Sequence, residues 1–267
     1  MPTVDRSRAL VERLETRVSD ALRVRLRSER DPGERLHVIE EWLCPPEPQL
    51  LDTCVLQNLD WVDRKLEAAE DGVDWEDVAV AELEARFGKE LAGDLIDLGT
   101  LYKQFEHYGS YPWLVCNAAV DEASVLQNEK GDRLRQLLSF LSGHQEDWHD
   151  DSFPGIAKGL LLARRNTLVS PLILRALGVN SAEELCDDGG PLSFLHDRGD
   201  RAIVAQAVLA NIPAILTTDR RTFWVHRDKI RDLGVEILRP SELLDLYISY
   251  WDAMEHEFAR RRAESRR

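Results

Sequence analysis

The sequence has few cysteines and no long uninterrupted apolar run. Its four cysteines are widely separated and form no CxxC pair, which argues against a zinc site or a disulfide framework and favours a reducing compartment. No apolar run approaches the roughly 18 residues of a membrane-spanning helix, and the N-terminus lacks a signal peptide's apolar region. We therefore expect a cytoplasmic protein without a membrane partner.

An excess of positive charge is also missing. The formal net charge is −15 over 267 residues, so a broad basic face for nonspecific attachment to nucleic acid is not expected. No GxGxxG fingerprint or phosphate-cradling glycine loop occurs, which disfavours a dinucleotide-binding enzyme, a phosphotransferase or a receiver-like domain. The 43% hydrophobic and 31% charged composition is typical of a globular chain with a sizeable core.

The most informative stretch is GDRAIVAQAVLANIPAILTTDRRTF, residues 199 to 223. An acid, Asp200, stands where a helix is predicted to begin, and an Ala/Val-rich helical run follows it. Asn211 and Pro213 break this helix before a short buried strand that ends in Thr218 and Asp219. A helix followed by a returning strand brings the two acids to the same end of a sheet.

Further short apolar runs predict additional strands separated by helices. This alternation predicts an α/β fold, a three-layer α/β/α arrangement with a mostly parallel central sheet and additional N- and C-terminal helices. The predicted strands are Gln49 to Leu56, Trp113 to Cys116, Asn166 to Ser170, Ala214 to Thr217 and Gly234 to Leu238.

Composition shifts divide the chain into three predicted parts. A proline-rich connector over residues 44 to 48 separates an N-terminal helical extension, residues 1–48, from the main domain, residues 49–244. Within that domain, the acid-rich residues 70–106 form a predicted helical insertion. Residues 245–267 are predicted to form a C-terminal helix with a basic tail.

Four acids occupy positions that can meet at one edge of the predicted sheet: Asp52, Glu122, Asp200 and Asp219. Ligands of open α/β sheets bind outside the carboxyl ends of the strands. Asp52 stands out because apolar residues flank it on both sides, and a buried carboxylate is costly unless it is paired or binds a cation.

At these residues the chain resembles the PIN-domain nucleases, the fold of many toxin ribonucleases of toxin–antitoxin pairs. The resemblance covers Gln49 to Leu244 and is carried by LLDTCVL, WLVCNAAVDEA, GDRAIVAQAVLANIPAILTTDRRTF and GVEILRPSELL. It implies that the four acids are catalytic carboxylates that bind Mg²⁺ or Mn²⁺, with Thr53 and Thr218 as the hydroxyl residues beside them. One departure is Cys54, where the family often has asparagine.

The resemblance implies a metal-dependent endoribonuclease acting on single-stranded or structured RNA, either a toxin or an RNA-processing enzyme. Hard carboxylate oxygens suit both ions, and such ions activate water for phosphodiester hydrolysis. Arg220 and Arg221 flank an acid and are candidates for holding substrate phosphates, although ion pairs with nearby acids are an equal alternative.

Three of the four acids also have a structural alternative. Asp200 can be a helix N-cap, and Asp219 a turn residue. Glu122 can be a surface acid with Asp121 facing inward, and Asp197 is an alternative or additional ligand. The alternative function is a non-catalytic PIN-fold module that binds a partner.

Two protein partners are also expected. A toxin requires an inhibitory protein, and PIN-domain proteins often form homodimers. The apolar stripe of a helix predicted over residues 4 to 29, from Val11 to Leu26, offers a surface for such a dimer.

Overall fold

The computed structural model describes residues 32–68, 75–108, 111–147 and 171–264. The predicted helix over residues 4 to 29, with its apolar stripe, and the predicted strand from Asn166 to Ser170 lie outside these ranges. All structural statements below concern the described residues.

Helices make up most of the described chain. In chain order the helices are α1 (Pro32–Leu43), α2 (Thr53–Ala68), α3 (Trp75–Phe87), α4 (Lys89–Tyr108), α5 (Asn117–Val125), α6 (Glu129–Asp147), α7 (Pro171–Ala176), α8 (Ala182–Cys186), α9 (Arg198–Leu209), α10 (Arg227–Arg231) and α11 (Pro240–Glu264).

Four strands form a single sheet in which every neighbouring pair is parallel. They are β1 (Gln49–Leu51), β2 (Trp113–Val115), β3 (Ala214–Leu216) and β4 (Glu236–Leu238), in the spatial order β2-β1-β3-β4. The register places the last residues of all four strands side by side. The expected mixed α/β fold with a parallel sheet is confirmed, and the residue after each strand lies at one edge.

The predicted first strand is wrong in its second half. The strand ends at Leu51, and α2 begins at Thr53, so Val55 and Leu56 are helical. Both are fully buried because they lie on the inner side of the first turns of α2. A short apolar run has the same appearance in a buried strand and in a buried helix start, so periodicity does not distinguish them. The other three strands are shorter than predicted by one or two residues.

The described part of the predicted insertion, residues 75–106, lies in two helices. Gly88, with a φ of +79°, separates α3 from α4 in a left-handed conformation that glycine adopts without strain. Helix α4 packs on α2, and its Phe105 ring meets Trp113 of β2 edge-on at 5.1 Å. Tyr102 stacks on the same indole at 6.5 Å, so α4 is part of the core beside β2.

The chain divides into two compact units. The sheet unit spans Pro46–Leu244, beginning three residues before the predicted nuclease-like domain and ending at the same residue. The sequence predicts two separate terminal additions, whereas the structure groups described residues 32–45 and 245–264 into one terminal unit. In the terminal unit, buried Glu257 accepts hydrogen bonds from Arg35 and Arg260.

Within the described ranges, no helix has the length and apolar character to cross a membrane.

A buried carboxylate connects α4 to the segment after β3. Asp94 is 2% exposed and accepts hydrogen bonds from Arg220 at 2.9 Å and from the Ser241 hydroxyl at 2.9 Å. Arg220 also pairs with Glu90, which is 82% exposed. The charged and neutral donors together satisfy Asp94, which would otherwise be an isolated buried charge.

We predict that Asp94→Ala destabilises the sheet unit by about 2 to 4 kcal/mol, because it leaves the Arg220 guanidinium and the Ser241 hydroxyl without their buried acceptor. Glu90→Ala removes a carboxylate from the same arginine at an exposed position and should cost under about 1 kcal/mol. Urea denaturation of both variants measures the difference. Equal losses would show that the buried position of Asp94 adds nothing.

Candidate functional site

Asp52 lies directly after β1, at the sheet edge where the carboxyl ends of the strands meet. Its backbone N–H donates to Leu216 O of β3 at 3.0 Å, which continues the parallel pairing by one residue. Its carboxylate Oδ2 accepts from the Thr217 hydroxyl at 2.7 Å and from the Cys54 thiol at 2.7 Å. The side chain is therefore held in one position by groups from two adjacent chain segments.

The Asp52 carboxylate is buried without a cation beside it. The residue is 3% exposed. Burial is the main cause that raises its pKa, and the charge of Asp219 adds to it, while hydrogen bonds from Cys54 and Thr217 act in the opposite direction. No described arginine, lysine or histidine is among the main causes of this shift. A charged Asp52 carboxylate in this position destabilises the fold unless a cation binds beside it.

Cys54 stands where the PIN-domain family often has asparagine, and its thiol donates a hydrogen bond to Asp52. Burial first and then the charge of Asp52 raise the pKa of the Cys54 thiol, so the sulfur keeps its proton at neutral pH. That proton is the one donated to Asp52. The thiol thus supplies to Asp52 a neutral hydrogen-bond donor, which a side-chain amide could also supply.

Asp200 lies in the first turn of α9 and does not cap it. The N-cap is Asp197, whose carboxylate accepts from the backbone N–H groups of Gly199 at 2.6 Å and Asp200 at 3.3 Å. The N-cap alternative for Asp200 is therefore wrong by three positions. Since Asp197 fulfils the capping role, the Asp200 carboxylate is available for another one.

The pKa of the Asp200 carboxyl is strongly raised. Half-burial, followed by the charges of Asp52, Asp197 and Asp219, raises its pKa to about 7. All three named charges are negative, and no cation offsets them. The Asp200 carboxyl is thus close enough to Asp52 and Asp219 for their charges to raise its pKa. It is partly protonated at neutral pH.

Asp219 follows β3 and forms a turn, as its structural alternative predicts. Its carboxylate accepts from the backbone N–H of Arg221 at 2.7 Å and of Thr222 at 3.1 Å, while its own N–H donates to the Thr217 hydroxyl at 2.9 Å. These contacts fix the carboxylate at the sheet edge. They also leave lone pairs on both oxygens, since each accepts one hydrogen bond from the described backbone.

Glu122 lies in α5, the helix that follows β2, and its side chain is outside the described set. Asp121, offered as an inward-facing alternative, is exposed. Helix α5 packs against both α2 and α9, the helices that begin beside Asp52 and Asp200. The helix that carries Glu122 therefore packs on the helices that begin near Asp52 and Asp200.

The two threonines predicted beside the acids have other immediate partners. The Thr218 hydroxyl accepts from the Asn58 side-chain amide at 2.9 Å, and Thr53 is hydrogen-bonded to Cys116 through its side chain. The Thr53 backbone N–H contributes a hydrogen bond to Asp52. These residues hold α2 and the strand ends together.

Of three arginines near the acids in sequence, two have side chains paired with other residues and one has an exposed side chain. Arg220 is engaged with Asp94 and Glu90, the ion-pair alternative left open by the sequence. Arg201 is buried and donates to Leu195 O at 2.6 Å and to Asp188 at 2.8 Å. Arg221 has an exposed side chain that makes no hydrogen bond or ion pair with the described residues.

The structure brings Asp52, Asp200 and Asp219 into electrostatic contact at the carboxyl edge of the sheet. As they stand, no three described His, Cys, Asp or Glu side chains form a group that could hold a metal ion. That statement does not include the side chain of Glu122. The arrangement is a cluster of mutually repelling carboxylates, one of them carrying a proton near pH 7.

Thr217 is the site residue that sequence reasoning missed. It is fully buried and bridges the candidate acids, donating to Asp52 and accepting from the Asp219 N–H. The sequence pattern treats it as the last residue of a strand. The available signal was a hydroxyl at the end of a buried strand, one position before a second threonine and an acid.

Comparison with known proteins finds no match to a family model, to a curated protein or to a solved structure.

The pKa of Asp200 generates a prediction for stability against pH. A carboxyl whose pKa is about 7 in the folded state and near 4 in the unfolded state stabilises the fold below about pH 4. This stabilisation is lost as the pH rises to about 7. Without divalent cations, Asp200→Asn should therefore gain about 1 to 2 kcal/mol relative to wild type between pH 4 and pH 8, an amount reduced by partial solvent exposure.

The measurement is urea denaturation of both proteins in EDTA at several pH values. Asp187→Asn removes an exposed aspartate outside the cluster and is the matched control, with a profile parallel to that of wild type. Parallel profiles for wild type and Asp200→Asn would contradict the raised pKa.

Proposed function

We propose that the protein is a metal-dependent ribonuclease that hydrolyses RNA phosphodiester bonds. The observation that carries the proposal is the set of three acids at the carboxyl edge of the parallel sheet, among them a buried carboxylate with no described cation beside it. A protein that only needs a stable fold gains nothing from keeping such charges together. We propose, as part of the same function, that the chain is a PIN-domain protein with the three-layer α/β/α arrangement of that family.

The donor set fits Mg²⁺ or Mn²⁺ by its chemistry. Asp52, Asp200, Asp219 and Glu122 would supply hard carboxylate oxygens, which both ions prefer. A bound ion would lower the pKa of a coordinated water and offset the charge of a phosphate. The proton that Asp200 holds near pH 7 would be displaced by the ion, so binding should strengthen as the pH rises.

The chain's own residues would prepare the site in three ways. Thr217 and Cys54 fix the Asp52 carboxylate, and the backbone N–H groups after Asp219 fix that side chain. The Asp200 carboxyl, whose pKa is near 7 without metal, would release its proton when the ion binds. Exposed Arg221 would contact a substrate phosphate, whereas Arg220 holds the loop through Asp94.

A non-catalytic binding module is the second candidate, and specific contacts favour it. Both oxygens of Asp219 already accept backbone hydrogen bonds, and one oxygen of Asp52 accepts two. No three of the described side chains are grouped to hold an ion. Metal binding and RNA cleavage separate the two candidates.

The proposed enzyme would act in the cytoplasm on single-stranded or structured RNA. As a toxin it would require an inhibitory protein partner, and as an RNA-processing enzyme it would not. A homodimer through residues 11 to 26 remains a prediction, since those residues lie outside the described ranges.

We predict that Mn²⁺ raises the melting temperature at pH 8, because the ion relieves repulsion among the acids. At a concentration of 100 times the dissociation constant the gain is about 2.7 kcal/mol, roughly 5 to 10 °C for a chain of this size. Asp200→Asn should lose most of the shift, and Asp187→Asn should keep it. No shift at millimolar Mn²⁺ in wild type would favour the binding module.

We also predict that wild type cleaves a mixed single-stranded RNA pool with Mn²⁺ or Mg²⁺, and that Asp200→Asn reduces the rate at least about 100-fold. This variant suits the test because no described hydrogen bond to the Asp200 carboxylate is lost. Asp187→Asn again serves as control. Full activity in Asp200→Asn, or an inactive wild type that binds metal, would contradict the proposed site or reaction.

A further inference from the structure

Residues 220–231 differ in charge from the rest of the chain. This segment, which follows Asp219, has five arginine or lysine residues and one aspartate, in a protein whose net charge is −15. It also contains Trp224 and His226. A local excess of cations beside a tryptophan is a composition typical of nucleic-acid contact surfaces.

Two arginines are arranged around the Trp224 indole. The guanidinium of Arg227 lies 4.2 Å from the ring centroid, and that of Arg239, which follows β4, lies 4.6 Å from it. The indole therefore holds both guanidinium groups in place by cation–π contact. Because guanidinium groups stacked on an aromatic ring keep their N–H donors in a defined plane, they are suited to contact phosphates or bases.

These two arginines have ion-pair partners only at long distances. Both share Glu242, at 4.0 Å from Arg227 and 3.9 Å from Arg239, and Arg227 lies 4.0 Å from the exposed Asp228. Neither guanidinium makes a hydrogen bond to a residue in the described part of the chain, and the buried Arg239 Nε has no acceptor there. Because both side chains are partly exposed, their terminal N–H groups can contact an incoming anion.

A second aromatic ring, that of Phe194, extends this region toward α9, the helix that carries Asp200. Phe194 lies 5.2 Å from Lys229 Nζ and meets the His226 ring edge-on at 5.4 Å. Phe194 precedes the α9 cap, Asp197, by three residues, and Lys229 follows Asp219 by ten. The contact thus joins the two chain segments that lead to the carboxylates.

We infer that Phe194, Trp224, Arg227, Lys229 and Arg239 form a surface, here called the aromatic–basic surface, that binds single-stranded RNA next to the carboxylate cluster. The cations suit the phosphate backbone, and the guanidinium planes that cover the Trp224 ring suit unpaired bases, which in single strands are free to stack. An acidic protein would use the charges but would not need planar groups for stacking bases. The role in delivering substrate rests on the proposed function, whereas RNA binding itself does not.

The direct test is binding of a labelled 20-nucleotide single-stranded RNA of mixed sequence in EDTA, followed by fluorescence anisotropy over a range of salt concentrations. The double variant Arg227→Ala with Lys229→Ala should weaken binding about tenfold or more at low salt. If each cation neutralises one phosphate, the slope of log affinity against log salt should decrease by about 1.4. Arg227→Lys should keep the slope and still weaken binding, because it loses the planar contact with Trp224.

A matched control removes the same charge elsewhere on the sheet unit. Arg86 is also stacked on an aromatic ring, with its guanidinium 5.0 Å from the Phe87 centroid, and Lys103 is an exposed cation of α4. The double variant Arg86→Ala with Lys103→Ala should change RNA affinity less than about threefold. Equal losses in the two double variants would overturn the inference, since they would indicate attraction to overall charge alone.

Other outcomes also bear on the proposal. Wild type that does not bind the RNA overturns it, and so does polyglutamate that competes as well as RNA, because the partner would then be an acidic protein. In a cleavage assay with Mn²⁺, Arg227→Ala with Lys229→Ala should raise KM and leave kcat within about twofold. Cleavage with unchanged KM and unchanged binding would overturn the aromatic–basic surface alone, whereas binding without cleavage by wild type would overturn the ribonuclease proposal alone.

Discussion

The hydrogen bond from the Thr217 hydroxyl to the Asp52 carboxylate is the contact on which the site depends. It joins the residues that follow β1 and β3, two adjacent parallel strands whose ends are in register. The same hydroxyl accepts from the Asp219 N–H, so a single fully buried threonine positions both acids. Because all its partners are neutral donors, Asp52 is held firmly without its charge being balanced.

Charges of opposite sign lie next to each other along the sheet unit. Asp52, Asp200 and Asp219 repel one another, and this repulsion adds to burial, the main cause, in raising the pKa of Asp200. The segment after Asp219 has the opposite balance, with Arg227 and Arg239 stacked on one indole. In the proposed enzyme a phosphate would be attracted to the second region and would approach the first only when a cation is bound there.

The acids at the sheet edge were partly predictable. A buried strand followed by Asp219 predicted that residue at the carboxyl edge, because parallel strands all end on that side, whereas Asp52 was predicted within the first strand and instead follows it. The boundary between β1 and α2 was not predictable, since Val55 and Leu56 are buried in a helix as they would be in a strand. The capping role of Asp197 depends on local geometry, and the pairing of Arg220 with Asp94 joins residues 126 positions apart, which no local pattern reveals.

The proposed enzyme requires a divalent cation bound among the carboxylates at the carboxyl edge of the sheet. Anomalous diffraction from crystals grown with Mn²⁺ at pH 8 would locate the ion itself. We expect an anomalous peak bounded by Asp52, Asp200 and Asp219 in wild type, and a much weaker one in Asp200→Asn. A wild-type map with no peak there, or with Mn²⁺ bound only elsewhere, would show that the carboxylates are not a metal site.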